Sequence, residues 1–197
     1  MLLLLAVNAS AQRGPSLSIS HDLQTQRGVL RLSEALADRE LEDAVRSGLP
    51  LRVRFRAELW KDAFLDEQIG AEEWTLVLTF DALSELYIVR SRAAPGTAKV
   101  FTNYKDARAA IEGQYNLTLR PGREGRFYYT ASVDIETLSL SDLDELERWL
   151  KGELQPAVTG DRSIPGAIGQ GARRLFMRVL SLPERRFEAR SDRFRTI

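Results

Sequence analysis

Leu51-Arg52-Val53-Arg54-Phe55-Arg56-Ala57-Glu58-Leu59-Trp60 alternates without interruption. Leu51, Val53, Phe55, Ala57 and Leu59 share one parity, and Arg52, Arg54, Arg56, Glu58 and Trp60 share the other. Successive side chains of a β-strand point to opposite faces, so this decapeptide predicts a strand with one face on a core and one face in water. One-sided strands of this kind belong to antiparallel sheets, because strands of a parallel sheet covered on both sides read as continuous apolar runs.

The flanks agree with that reading. Upstream, 16–20 and 28–32 alternate apolar and polar residues across a polar stretch and predict a short antiparallel pair. Between them and the decapeptide, Leu36, Leu41, Ala44 and Val45 follow a helical period over 36–46, with Gly48 and Pro50 as the stop. Downstream, 74–80 and 85–90 predict a hairpin joined by Asp81-Ala82-Leu83-Ser84. Trp74, Leu76, Leu78 and Phe80 lie on one side of it and Thr75, Val77 and Thr79 on the other, a central hairpin partly covered on both faces. Pro95-Gly96 marks a turn, Asn103 caps a helix running to Gly113, and 115–119 with 126–135 read as a second long hairpin across 121–125.

Beyond this, Ser141 caps a helix with Leu143, Leu146 and Leu150 inward and Asp142, Asp144, Glu145 and Glu147 in its early turns, where the helix dipole favours negative charge. A Pro- and Gly-rich stretch over 155–171 follows. Ile168, Ala172, Leu175, Phe176 and Val179 then form an amphipathic stripe that stops before Pro183 and leads into an Arg-rich end. No βαβ alternation and no glycine-rich strand-to-helix turn supports a doubly wound parallel fold. The fold class is therefore mainly β with peripheral helices, a β-rich α+β chain built as an antiparallel β-sandwich, with an immunoglobulin-like arrangement as one form of it. Three regions follow: 1–11 as a signal remnant, 12–155 as the sandwich, and 156–197 as the Pro/Gly segment and an Arg-rich amphipathic helix packing on it.

Composition narrows the function classes. The 197 residues contain no cysteine, one histidine, and 28 basic against 28 acidic residues. Disulfide frameworks, thiol catalysis, thiolate zinc sites and iron–sulfur clusters are excluded, and zero net charge removes any overall pull toward nucleic acid. At the amino end, the apolar run 2–7 followed by Ala9-Ser10-Ala11 reads as the core and cleavage site of a secretory signal, leaving no stable membrane span once removed. Six apolar residues rise only about 9 Å as a helix against a hydrocarbon core of about 30 Å. No Lys or Arg precedes the leucines, which places the natural start upstream.

The best-defined chemical feature is the ladder Arg52, Arg54, Arg56, whose members stand about 6.6 Å apart on one face, with Trp60 on the same parity. Such a row can engage carboxylates bidentately. The plainer reading is cross-strand pairing with acids such as Glu72, Glu73 or Glu85 on a solvated face. Tyr128 or Tyr129 would add an aromatic element if aligned with Trp60. Charge is also segregated: 132–155 holds seven acids and two bases, and 160–197 holds nine arginines and four acids. Mutual packing of the two stretches is the simpler account, and a docking surface made by Arg173, Arg174, Arg178, Arg185 and Arg186 for an anionic partner or phospholipid headgroups is the functional one.

Other constellations fail as sites. Asp142, Asp144 and Glu153 fall on calcium-loop positions, but Glu147 stands where glycine is required and Leu146 where an oxygen ligand belongs. His21 beside Asp22 has no strained nucleophile turn to serve and reads as a surface histidine. Gly166, Gly169 and Gly171 have the wrong spacing for a dinucleotide turn. No catalytic residue, cofactor site or metal-ligand set is read from the sequence.

The stretch Leu41-Glu42-Asp43-Ala44-Val45-Arg46-Ser47-Gly48-Leu49-Pro50-Leu51, running into 52–60, resembles a bacterial exported family, domain-of-unknown-function family 4390. The likeness continues through 74–83, Tyr87-Ile88-Val89 and, more weakly, from Tyr128-Tyr129-Thr130 to Leu138. The resemblance implies a β-rich exported fold, carries no catalytic residues, and implies an envelope-signalling setting, since such genes often neighbour membrane sensor kinases. The expected function is therefore a non-enzymatic periplasmic or secreted protein that binds another envelope protein through a sheet face or edge. Arg52, Arg54, Arg56 and Trp60 are the expected contact surface. A glycan hydrolase using two carboxylates among Asp66, Glu67, Glu72 and Glu73, and a carrier of a small amphiphile between the sheets, are the alternatives.

Overall fold

The computed structural model describes residues 14–92, 97–137 and 185–196. In chain order the elements are β1 (Ser16–Asp22), β2 (Arg27–Ser33), α1 (Arg39–Arg46), β3 (Leu51–Lys61), β4 (Glu67–Asp81), β5 (Leu86–Ser91), β6 (Ala98–Phe101), α2 (Tyr104–Ala109), β7 (Gly113–Asn116), β8 (Gly125–Glu136), β9 (Arg185–Arg190) and β10 (Phe194–Thr196). They form two antiparallel sheets, a three-stranded one in the order β1-β2-β7 and a seven-stranded one in the order β10-β8-β3-β4-β5-β6, with β9 also on β8. The sandwich expected from the alternating decapeptide is present, although this division between the sheets differs from the more even one of an immunoglobulin domain.

β3 lies at the centre because its odd face is the most completely apolar in the chain. Leu51, Val53, Phe55 and Ala57 have no exposed surface and Leu59 has 1%. Opposite them in register on β8 stand Ile135, Val133, Ala131, Tyr129 and Phe127, also buried. The small sheet closes over these rows with Ile19 of β1 and Leu30 and Leu32 of β2, while Leu36, Leu41 and Val45 seal one end beside α1. Each fully buried large side chain contributes about 1.5–3 kcal/mol of transfer free energy, so this seam dominates the stability of the fold.

Several boundaries differ from expectation for local reasons. α1 begins after Asp38, whose side chain accepts a hydrogen bond from the Glu40 amide, so Leu36 sits ahead of the helix rather than in it. Gly48, at φ 91, supplies the left-handed turn that ends the helix. β4 starts at Glu67 rather than near Trp74, because residues 67–73, with four Glu and Gln side chains and no alternating apolar row, are held extended by pairing with the rest of β3 down to Lys61. α2 starts after its cap Asn103 as expected but closes at Ala110. The helices expected over 141–150 and 168–179 lie outside the described residues, and the expected Arg-rich end is extended: Arg185–Arg190 and Phe194–Thr196 run successively along the free edge of β8.

One pairing is corrected outright. The stretches 115–119 and 126–135 do not form a hairpin, since β7 pairs with β2 and β8 pairs with β3. Leu117 is buried, the Leu117 amide donates to the Gly28 carbonyl at 2.9 Å, and the Tyr129 hydroxyl donates to the Leu119 carbonyl at 3.0 Å. The connection 117–124 thus carries the chain from one sheet to the other. The apolar face of β8 is matched to β3, which β7 could not cover.

Candidate functional site

The even residues of β3 form the outer face of the large sheet, and the structure places Arg52, Arg54, Arg56 and Trp60 there together. Arg52 stands in register between Val77 of β4 and Glu136 of β8, partly buried. Arg54 lies 3.9 Å from Glu136, and Arg56 is paired with both Glu58 and Glu73. Cross-strand acids therefore engage the ladder, as the plainer reading held. Of the acids named for that role, only Glu73 fills it: Glu72 turns to the other face and accepts from the Thr118 amide at 3.0 Å, and Glu85 occupies the β4–β5 turn with φ 55.

Glu58 organises the centre of the face. It accepts from Arg56 Nε at 2.7 Å, from Trp60 Nε1 at 3.0 Å and from the Thr130 hydroxyl at 3.2 Å. Partial burial pushes its carboxyl upward, but the three donors outweigh that and hold it below the ordinary glutamate value. The hydrogen bonds Arg56 donates to Glu58, and then to Glu73, in turn raise it above the usual guanidinium value. Charge-assisted bonds of this type fix side-chain geometry as well as charge.

An aromatic row continues the face. Trp60 and Tyr128 are partners in register, nearly parallel at 6° with ring centroids 6.4 Å apart, and the Arg190 guanidinium lies 3.7 Å from the Tyr128 ring centroid. Tyr129, the other tyrosine considered for this role, belongs to the core. The Tyr128 hydroxyl donates to Asp66 at 2.8 Å. That bond is the main cause holding the Asp66 carboxyl low, while burial and then the Asp66 bond push the Tyr128 phenol up. Between this row and β9 lies an open depression of about 450 Å³ lined by Arg56, Glu58, Thr130, Ser132, Arg186, Glu188 and Arg190. It offers guanidinium donors and carboxylate acceptors in alternation beside a stacked aromatic pair.

The β9 residues were missed by the sequence reading, although Arg185 to Arg190 carries the same period of two, with Phe187 and Ala189 against the core and Arg186, Glu188 and Arg190 outward. Arg185, read as part of a docking patch, instead pairs with Asp38 at the start of α1, and Arg186 pairs with Glu188 at 2.8 Å and Asp134 at 3.8 Å. Arg173, Arg174 and Arg178, the acidic stretch 141–153 and the glycines 166–171 lie outside the described residues.

The four acids of the hydrolase alternative are dispersed. Asp66 is held by Tyr128, Glu67 by Arg123 at 2.8 Å, Glu72 by Thr118 and Glu73 by Arg56. For the carrier alternative, a cleft of about 320 Å³ lies between Trp74 and Tyr115–Thr118, open to solvent and lined also by Glu72 and Glu73. Among the described residues no group of three or more His, Asp or Glu is placed to hold a metal ion, and no helix is long and apolar enough to cross a membrane. His21 is not a surface histidine. Its ring lies flat on Phe194 at 3.7 Å, both ring nitrogens are buried with no hydrogen-bond partner among the described residues, and desolvation lowers its pKa against the opposing pull of Asp22.

Comparison with known proteins gives one match, to a family described as a domain of unknown function (DUF4390), over residues 19–142. That span runs from β1 to just past β8 and contains the whole β3 ladder with Trp60 and Tyr128. Neither the curated proteins nor the solved structures gave a match.

Proposed function

Because this chain belongs to the DUF4390 family, for which no activity is defined, we propose its role from the geometry: an exported protein of the bacterial envelope that binds another envelope protein through the outer face of its large sheet. The observation that carries this reading is the fixed Trp60–Tyr128–Arg190 stack beside the Glu58–Arg56 network. Tryptophan, tyrosine and arginine are the residues enriched at interface hot spots, and their positions here are set before any partner arrives, which lowers the entropy lost on docking. The face also carries nearly balanced charge. Arg52, Arg54, Arg56, Arg90, Arg92, Arg186 and Arg190 stand against Glu58, Glu73, Asp134, Glu136 and Glu188, a surplus of two arginines, so a partner is selected by matched ion pairs and aromatic contact more than by bulk attraction. The amino-terminal signal pattern supports export, and an envelope-signalling setting fits the same placement.

The test is site-specific photo-crosslinking in envelope preparations from the native host. A crosslinker placed at Arg54 is expected to give one discrete adduct that disappears with Trp60→Ala and persists with a substitution at Leu83, on a turn away from the face. Loss of specificity between those two variants would overturn the reading.

A further inference from the structure

Phe64 is fully exposed, Leu65 is 80% exposed and Leu23 is 76% exposed. Phe64 and Leu65 occupy the 62–66 turn between β3 and β4, and Leu23 occupies the turn between β1 and β2. These two turns lie at the same end of the sandwich. His21, next to the β1–β2 turn, stacks on Phe194; Phe194 pairs with Phe127, and Phe127 pairs with Lys61, the last residue of β3.

The larger tip is held firmly at its base. The Asp62 amide donates to the Arg126 carbonyl at 2.8 Å, and the Asp62 carboxylate takes Arg126 and, at 3.3 Å, Arg193. Asp66 accepts from the Ala63 amide at 3.3 Å and from Tyr128, and Glu67 takes Arg123. Asp62, Asp66 and Glu67 at the foot of the tip are thus each engaged by a donor; around them Arg27, Arg120 and Arg195 are exposed with no acidic partner, and Glu124 and Asp192 with no basic one, among the described residues, a surplus of one positive charge. A turn fixed in this way displays its two apolar side chains to water rather than losing them to fraying.

We propose that this end of the sandwich docks on a lipid bilayer, with Phe64, Leu65 and Leu23 entering the interfacial layer and the arginine rim meeting anionic headgroups. Three apolar side chains on two hairpins from different layers make a convex, discontinuous set. A bilayer accepts separate points at a common depth, whereas a protein partner would need a separate pocket for each. Cations around an apolar tip add attraction to the negative surface of an anionic leaflet. This inference is independent of the outer-face reading, since it rests on Phe64, Leu65 and Leu23, although Tyr128 of that face adjoins the same turn through its bond to Asp66.

The test uses the full chain and vesicles of phosphatidylcholine with and without phosphatidylglycerol. Wild type is expected to sediment with the anionic vesicles, less so as salt rises, and the double variant F64A/L65A is expected to lose roughly tenfold in partitioning. Leu83→Ala, which removes a side chain 98% exposed at the opposite end of β4, is expected to bind like wild type. Both changes fall on exposed turns, so unchanged thermal unfolding verifies the fold, and point substitution separates this end from any contribution of the apolar run 2–7. Since the chain has no cysteine, F64C carries a single environment-sensitive fluorophore whose emission shifts blue on the anionic vesicles, with no shift from the same label at L83C. Absence of wild-type sedimentation, equal binding by F64A/L65A, or a label at position 64 that responds only to a membrane protein fraction would each overturn the proposal.

Discussion

Gly28→Ala probes the seam between the two sheets. A methyl group at this position would lie 2.6 Å from Leu117 Cδ1 and 3.1 and 3.2 Å from two ring carbons of Tyr129. Neither neighbour moves freely. Leu117 is 1% exposed with its amide bound to the Gly28 carbonyl, and Tyr129 is fully buried with its hydroxyl bound to Leu119. Overpacking of this kind costs about 1–3 kcal/mol. Alanine offsets about 0.5–1 kcal/mol of that through the lower backbone entropy of its unfolded state, leaving a net destabilisation of about 1–2 kcal/mol. In urea unfolding this moves the midpoint down by roughly 1 M at an unchanged slope. Leu117→Ala alone costs about 2–5 kcal/mol, but it clears the worst contact, so the double variant is less destabilised than the sum by about 1–2 kcal/mol. A neutral Gly28→Ala, or strict additivity, would refute the proposed contact between the sheets.

Three further perturbations test separate parts of the molecule. Phe55→Ala removes a fully buried ring stacked on Trp74 at 4.9 Å and should cost about 3–5 kcal/mol in denaturant unfolding, whereas an effect near zero would mean that the β3 face is not core. Glu58→Gln weakens acceptance from Arg56, Trp60 and Thr130; a loss of about 1 kcal/mol and altered tryptophan emission are expected, and unchanged emission would show that Glu58 does not hold Trp60. Burial of His21 lowers its folded pKa below the ordinary 6.5, so the unfolded chain binds more protons and stability falls as pH drops below about 6.5. Carboxylates held low, such as Glu58, stabilise the fold above their unfolded value of about 4.5 and lose that contribution only at lower pH. His21→Phe should flatten the loss that begins below 6.5, and an identical pH profile in wild type and variant would sink the assignment.

The parts of the fold visible in the sequence are those where a local period coincides with a tertiary face. β3 is the clearest, because every odd residue from Leu51 to Leu59 is buried, and Asp38 shows the limit, since a cap two residues past Leu36 overrides the helical spacing there. The polar half of β4 has no period of its own and is strand only because β3 continues opposite it. The pairing of β7 with β2 is a non-local choice that adjacency in sequence argues against. At the candidate site, the Arg52–Arg54–Arg56 ladder and Trp60 could be placed on one face from parity alone, but registration of Trp60 with Tyr128, and its hydrogen bond to Thr130 seventy residues away, required the sheet. The β9 contribution was legible in principle from Phe187 and Ala189 alternating with charged residues, and was obscured by the arginine density that favours reading a solvated tail.

The outer face and the apolar end call for different responses to salt, and this separates the two proposed interactions. On the outer face Arg54, Arg56 and Arg186 already have carboxylates close by, and Arg54 and Arg56 are 43% and 46% exposed, so each pair contributes only about 0–1 kcal/mol to the free protein. A partner docking there must exchange one set of ion pairs for another, and the long-range field it feels is close to neutral. Its association rate should therefore change little between low and moderate ionic strength, with affinity residing in the dissociation rate set by Trp60 and by Arg190, which the ring of Tyr128, 5% exposed, supports from beneath. At the other surface Arg27, Arg120 and Arg195, without an acidic partner among the described residues, would face a polyanionic plane whose attraction decays within a Debye length of about 10 Å at 0.1 M salt. Vesicle binding should accordingly weaken steeply over the same range. A partner interaction with a steep salt dependence that survives F64A/L65A would place the outer face, rather than the arginine rim, as the electrostatic surface, and the charge bookkeeping that distinguishes the two would have to be abandoned.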